Sequence, residues 1–141
     1  MHKQKGFTII ELLVVIAIIA VLAGIVLINV ASYINKGKDA AIKGNMNSAL
    51  TAGASAFEID GNYYNFITGP STSQFNRILA AISSAGGSTV WGLTGFYTAY
   101  CLCSTLKSST NTYCVDSTGY KKETAGTCAS RCTMATGACT N

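Results

Sequence analysis

FTIIELLVVIAIIAVLAGIVLI, residues Phe7 to Ile28, decides how the rest of the chain is read. Its uninterrupted apolar core runs from Leu12 to Ile28. With Phe7, Ile9, Ile10 and Val30 it reaches the roughly 20 residues that a helix needs to cross about 30 Å of hydrocarbon. Glu11 is the one charge inside it. A carboxylate there costs about 2.5 to 3.5 kcal/mol on insertion scales, so it is expected to serve a purpose and to have a partner. No Lys or Arg lies within the segment to provide one. Lys3 and Lys5 precede the run and, by the positive-inside tendency, hold that end in the cytoplasm. The remainder of the chain is then delivered outside.

With 141 residues there is room for one domain of ordinary size beyond that helix. The formal charge of +4 would fall to +2 if Lys3 and Lys5 were removed, too little to argue for nucleic acid as a partner. Charged residues make up 11% of the chain, so its exported surface is wetted mainly by neutral Ser, Thr, Asn and Gly. Cys101, Cys103, Cys114, Cys128, Cys132 and Cys139 all fall in the last third. In a small exported domain they argue for disulfides, because the compartment is oxidising and a modest core gains from cross-links. Six cysteines allow 15 pairings, among which sequence cannot choose. The competing zinc reading has only Cys101-x-Cys103 and Cys128-x3-Cys132 as half-sites, with no CxxC pair and a single histidine, His2.

GFTIIELLVVIAIIAVLAG, preceded by a six-residue basic leader, resembles the class III signal and N-terminal helix of a type IV prepilin. The match lies in Gly6, Phe7, Thr8, Glu11 and the apolar run, and covers about the first third of the chain. The resemblance implies cleavage by a prepilin peptidase between Gly6 and Phe7 on the cytoplasmic face, then N-methylation of the Phe7 amine. Gly6 suits that step, because a residue without a side chain lets a protease approach the backbone. It also implies that Glu11 of one subunit neutralises the Phe7 amine of its neighbour. Such a buried pair sets register more than it adds net stability. The partners implied are copies of the same chain in a helical filament, the peptidase and, indirectly, a platform protein and a cytoplasmic ATPase. No cofactor is implied. The chain would be a single-pass protein of the cytoplasmic (inner) membrane before assembly and part of an extracellular pilus afterwards, serving adhesion, twitching motility or DNA uptake. One feature departs from the family: many members carry a proline about twenty-two residues after the cut, where this chain has Ile28, and its only proline is Pro70. A less kinked helix is therefore expected.

Along the chain, Ile42, Met46, Ala49, Leu50, Gly53, Ala54 and Phe57 recur at spacings of three and four, with Lys36, Lys38, Lys43, Asn45 and Asn47 mostly opposite. This pattern predicts one helix from Phe7 to about Phe57, roughly 75 Å long at 1.5 Å per residue. Residues 1–6 are read as leader, 7–30 as membrane and filament-core helix, 31–58 as its amphipathic half, and 59–141 as a globular head. Residues 58–72 read as a loop, since Asp60-Gly61-Asn62 and Gly69-Pro70 are breakers. A short helix over 73–83 follows, capped by Ser71, Thr72 or Ser73. Strands are expected over 96–102, 112–117 and 120–123, with Phe96, Tyr100 and Leu102 on one face and Tyr97, Cys101 and Cys103 on the other. That hairpin would place Cys114 within reach of Cys101 or Cys103. The tail over 124–141 has almost nothing to bury and should be held by cross-links. The fold class is α+β, type IV pilin-like: a long N-terminal helix on a small antiparallel sheet, with a disulfide-rich C-terminal region.

No Ser, His and carboxylate set and no phosphate loop is present, so the chain is not read as an enzyme. Asp60, Asp116 and Glu123 stand singly and read as solvated or turn residues rather than metal ligands. A secretion pseudopilin, a plain membrane-anchored domain and a DNA-binding or adhesive minor pilin are the competing readings. Lys107, Lys121, Lys122 and Arg131 are the only basic group for DNA in the head, with Tyr97, Tyr100, Tyr113 and Tyr120 available for stacking. Retention of Glu11 argues against a tip subunit.

Overall fold

A computed structural model describes residues 6–69 and 73–140. Met1 to Lys5 of the leader, Pro70, and the alternative caps Ser71 and Thr72 lie outside them. Helix α1 spans Ile9–Asp60, 52 residues, so the expected long helix forms and continues three residues beyond Phe57. Two compact units divide the chain, Met1–Ile34 and Asn35–Asn141. In the first, the described large apolar side chains from Phe7 to Val30 are between 42% and 85% exposed. Such a surface has no stable place in water, and its length suits a bilayer.

The second unit is built on a four-stranded antiparallel sheet in the order β1-β2-β3-β4: Thr89–Leu93, Tyr100–Thr105, Asn111–Asp116 and Lys121–Ala125. Alternation along β2 and β3 gives the sheet two chemically different faces. Tyr100, Leu102 and Val115 join Ile42, Met46, Ala49 and Ala52 of α1 in one apolar cluster. Cys101, Cys103 and Cys114 join Cys128, Cys132 and Val90 in a second. Short helix α2 (Tyr64–Thr68) adds Phe66 and Ile67 to the first cluster, and α3 (Gln74–Ser84) adds Phe75, Ile78 and Ile82. Ser73 caps α3 by accepting from the Asn76 amide at 3.4 Å, one of the three caps expected.

Several expected boundaries move. The loop over 58–72 contains the end of α1 and all of α2. The first expected strand begins at Tyr100 rather than Phe96, because Gly95 to Ala99 fold into a turn whose amides at Thr98 and Ala99 donate to Thr94 Oγ1. Tyr97 there has φ 59°, left-handed backbone that no strand residue adopts, and Phe96 is 88% exposed. Strand β1 was not foreseen. The tail folds into α4 (Cys128–Arg131) and a small hairpin of β5 (Cys132–Thr133) and β6 (Ala138–Cys139). On α1, Ala54 is exposed, and Phe57, 37% exposed, stacks on Tyr63 at 4.9 Å between ring centroids.

At Gly53 helix and sheet approach closely. The Tyr100 hydroxyl donates to the Ala49 carbonyl at 2.8 Å, and a Cβ on Gly53 would stand 2.5 Å from the Tyr100 oxygen. That ring cannot yield, being packed edge-on against Tyr63 at 4.8 Å and Phe66 at 5.7 Å. Overpacking a core typically costs about 1 to 3 kcal/mol, which exceeds the up to about 1 kcal/mol that alanine returns in helix propensity. Gly53→Ala should therefore lower the urea midpoint of the full chain in detergent, and an unchanged or raised midpoint would show that Tyr100 moves freely.

Candidate functional site

The start of α1 is the candidate site. Thr8 and Glu11 close its first turn reciprocally. The Thr8 amide and hydroxyl each donate to Glu11 Oε2 at 2.8 Å, and the Glu11 amide donates to Thr8 Oγ1 at 3.3 Å. This is a capping box, in which residue and third successor satisfy donors that a helix leaves orphaned. The carboxylate therefore has a partner inside its own chain, which the search for a cation overlooked although Thr-x-x-Glu was legible. Before the box, Gly6 to Thr8 are not helical, Phe7 is 81% exposed, and nothing lies within 4 Å of where a Gly6 side chain would begin. The Gly6–Phe7 bond is thus presented on open backbone, one residue ahead of the cap. The Phe7 nitrogen stands one residue before the Thr8 cap and four before Glu11.

The six cysteines form three bridges, Cys101–Cys132, Cys103–Cys128 and Cys114–Cys139. Cys114 sits opposite Cys103 in the β2–β3 register, yet neither bonds the other or Cys101: each strand cysteine reaches out to the tail. No room separates tail from sheet at Gly92, where a Cβ would stand 2.8 Å from the Met134 Cα.

Charged residues of the head are placed by contacts that sequence did not show. Asp39, 5% exposed, accepts from the Lys107 amide and from the Ser108 amide and hydroxyl. Burial pushes its carboxyl up, but those donors and the Lys43 charge outweigh burial and hold it below the usual carboxylate range. Lys43 was placed on the solvent side of α1; instead its Nζ reaches Glu123 at 2.6 Å across the sheet edge, and Asn111 donates to the other Glu123 oxygen at 2.9 Å. Lys43 and Asn111 keep the Glu123 carboxyl low. Asn47 accepts from the Tyr113 hydroxyl at 3.2 Å. Asp39, Lys43 and Asn47, at steps of four, make a polar stripe beside the apolar face. Asp116 was expected to be a solvated or turn residue; instead it is the last residue of β3, 2% exposed, and accepts from Thr118 in the turn that follows and from the Cys139 amide at 2.9 Å. Burial raises the Tyr100 phenol, helped by Tyr63 and Asp116.

Asp39 has the clearest pH signature. Its folded pKa is depressed, so its contribution is present above the ordinary carboxylate range and is lost as pH falls through the lowered value. Asp39→Asn keeps the shape but replaces charge-assisted acceptors, at a cost of about 1 to 3 kcal/mol near neutrality. Acid titrations of thermal stability should converge for the two proteins below that value, and a constant gap at all pH would refute the assignment.

Lys107, Lys121, Lys122 and Arg131 do not form one patch. Lys121 and Lys122 begin β4 beside the β3–β4 turn, while Lys107 lies in the β2–β3 loop. The Arg131 guanidinium donates to the Ala125 and Thr140 carbonyls, at the other end of β4.

Chain start and head together define a class: an apolar N-terminal helix of membrane-spanning length ahead of a small disulfide-linked α+β head. Residues 1–27 match the prokaryotic N-terminal methylation motif. The chain is 46% identical over 52 residues to a type IV major alpha-pilin of Moraxella bovis (37% of this chain, 33% of that protein). It is 39% identical over 64 residues to a type IV wide pilus major component of Thermus thermophilus (45% and 48%). It is 33% identical over 87 residues to a type IV major pilin of Myxococcus xanthus (60% and 40%). The matched stretch spans less than half of each of these relatives. No solved structure matches. The motif and these relatives support a type IV pilin.

Proposed function

We propose that the chain is the precursor of a structural subunit of a type IV pilus. What supports this reading is the match to the methylation motif over residues 1–27, together with an exposed Gly6–Phe7 stretch ahead of a capped helix whose first half is apolar but for Glu11. The peptidase would remove residues 1–6, and the mature chain would wait in the cytoplasmic membrane with its head outside. Assembly then exchanges lipid contacts of the apolar helix for contacts with the same helix in other copies, a transfer between apolar surroundings that needs little net free energy. Glu11 would turn from Thr8 toward the Phe7 amine of an adjoining subunit and fix the stagger. The head contributes the outer surface, and its disulfides let a small core persist outside the cell. The relatives carry the word major in their names, which favours an abundant subunit over a minor one.

The test is intact mass and N-terminal sequencing of protein from sheared surface material and from membranes, without reduction. The expected result is an abundant sheared chain beginning at methylated Phe7 and lighter by six hydrogens than its reduced form. A chain still beginning at Met1 and confined to membranes would overturn the proposal.

A further inference from the structure

The cations of the head are unevenly distributed along it. Lys36 and Lys38 are exposed on the first residues of the second unit. The Asp39 carboxylate pins the β2–β3 loop beside them through the Lys107 and Ser108 amides, which sets the exposed Lys107 side chain at the same end. Arg131 is fastened there too, since it holds the Ala125 carbonyl and Ala125 pairs with Asn111, the first residue of β3. Two acids lie at this end: Asp39, turned inward and 5% exposed, and Glu123. Glu123 is neutralised by Lys43 at 2.6 Å and accepts from Asn111 on its other oxygen. The exposed acids of α1, Glu58 and Asp60, lie at its other end, about 30 Å away along the helix axis. Ser109 and Thr110, exposed in the same loop as Lys107, add hydroxyls there.

This basic end is also the tethered end. Only five residues of chain lie between Val30, the last apolar residue of the bilayer segment, and Lys36. Even fully extended they span at most about 20 Å. With the apolar segment in a bilayer, these cations cannot leave the neighbourhood of its headgroups. Anionic lipids attract each nearby Lys or Arg by about 1 kcal/mol, with a reach of about one Debye length.

We propose that this end of the head, centred on Lys38 and Lys107, docks on the anionic phospholipid headgroups of the bilayer that holds α1, so that the unassembled subunit is held head-down by charge as well as by its anchor. This rests on the membrane-anchored reading, but not on cleavage or on filament formation. Docking of this kind keeps the waiting subunit in one attitude and is broken when the subunit leaves the bilayer.

The experiment places the full chain in nanodiscs of phosphatidylcholine, or of phosphatidylcholine with equimolar phosphatidylglycerol, and follows hydrogen exchange of the peptide covering residues 106–111. Exchange should be about fivefold slower in the anionic discs at low salt, and the difference should vanish at high salt. Lys38→Gln with Lys107→Gln should abolish the protection. Lys121→Gln with Lys122→Gln, which removes the same charge from the other end of β4, should keep it. Intact disulfides and unchanged exchange in the sheet would show both variants folded. Equal exchange in the two discs, equal loss in both variants, or the same protection from inorganic phosphate in phosphatidylcholine discs would each overturn the proposal, the last by assigning the cations to a free anion. The mass of the N-terminus, measured on the same samples, reports separately on processing.

Discussion

Glu11→Val is expected to abolish surface filaments while the processed chain accumulates in the membrane. Removing the carboxylate makes the helix easier to keep in lipid by about 2.5 to 3.5 kcal/mol. Meanwhile the amine of an incoming Phe7 would be left as an uncompensated cation in a low dielectric, where a broken pair costs about 3 to 5 kcal/mol. Both changes oppose transfer from bilayer to bundle, so the effect should approach all or none rather than a modest loss. Glu11→Gln separates the two roles of the side chain. Its carbonyl oxygen still accepts from the Thr8 amide and hydroxyl, preserving the capping box, but it has no charge for the amine. If the charge is what docks the subunit, Gln should fail as Val does; if closing the first turn suffices, Gln should assemble. Filament counts by electron microscopy, with immunoblots of sheared and membrane fractions, read both variants. Filaments of normal number and length from the Val variant would end the docking assignment.

The second large effect concerns the head. Reduction of all three bridges should remove its cooperative unfolding transition at physiological temperature. The bridges join residues separated by 31, 25 and 25 positions. Loops of that length are worth about 3.5 kcal/mol each in the chain-entropy account. Their sum of about 10 kcal/mol is comparable to the entire stability of an ordinary domain, about 5 to 15 kcal/mol. The second apolar cluster consists largely of the cystines themselves, so little else would hold the tail. Calorimetry of the full chain in detergent, with and without reductant, measures this. A single pair, Cys103→Ser with Cys128→Ser, should lower the transition by about a third of the total and leave it cooperative. Unchanged melting on full reduction would show that the apolar cluster against α1 suffices alone.

How much of this was legible in the sequence follows from how local each cause is. The apolar run, the three-and-four spacing of Ile42, Met46 and Ala49, and the Ser73 cap depend on neighbours along one helix, and the structure agrees with them. Phe96 to Leu102 alternates like a strand, yet its first half is a turn, because Gly95 and the Thr94 hydroxyl offer those amides partners other than a neighbouring strand. Strand β1 was missed since TVWGL is short and contains Gly92. It exists because β2 pairs with it and because Trp91 packs edge-on against Phe75 at 5.8 Å. The α2 turn was hidden by the breakers around it. Asp39 had no local signal at all: a carboxylate between lysines on a polar face reads as solvated, and only the fold brings the Lys107 and Ser108 amides to it. The bridges were foreseen as a set, but their connectivity depends on the path of the tail, which no local pattern encodes. At the N-terminus the Thr8-x-x-Glu11 spacing was legible but overlooked, and the structure closes it as a cap.

A subunit under tension has a weakest seam, and the two faces of the sheet decide where it lies. Between Cys101 and Cys139 the chain could pay out to about 130 Å if it were free, but every path through it is shortened by a covalent bond to the tail. The opposite face is joined to the helix by apolar contact and by the stripe at Asp39, Lys43 and Asn47, none of it covalent. Force on the head would therefore peel helix from sheet before the sheet itself lengthened, and the sheet with its tail would move as one rivet.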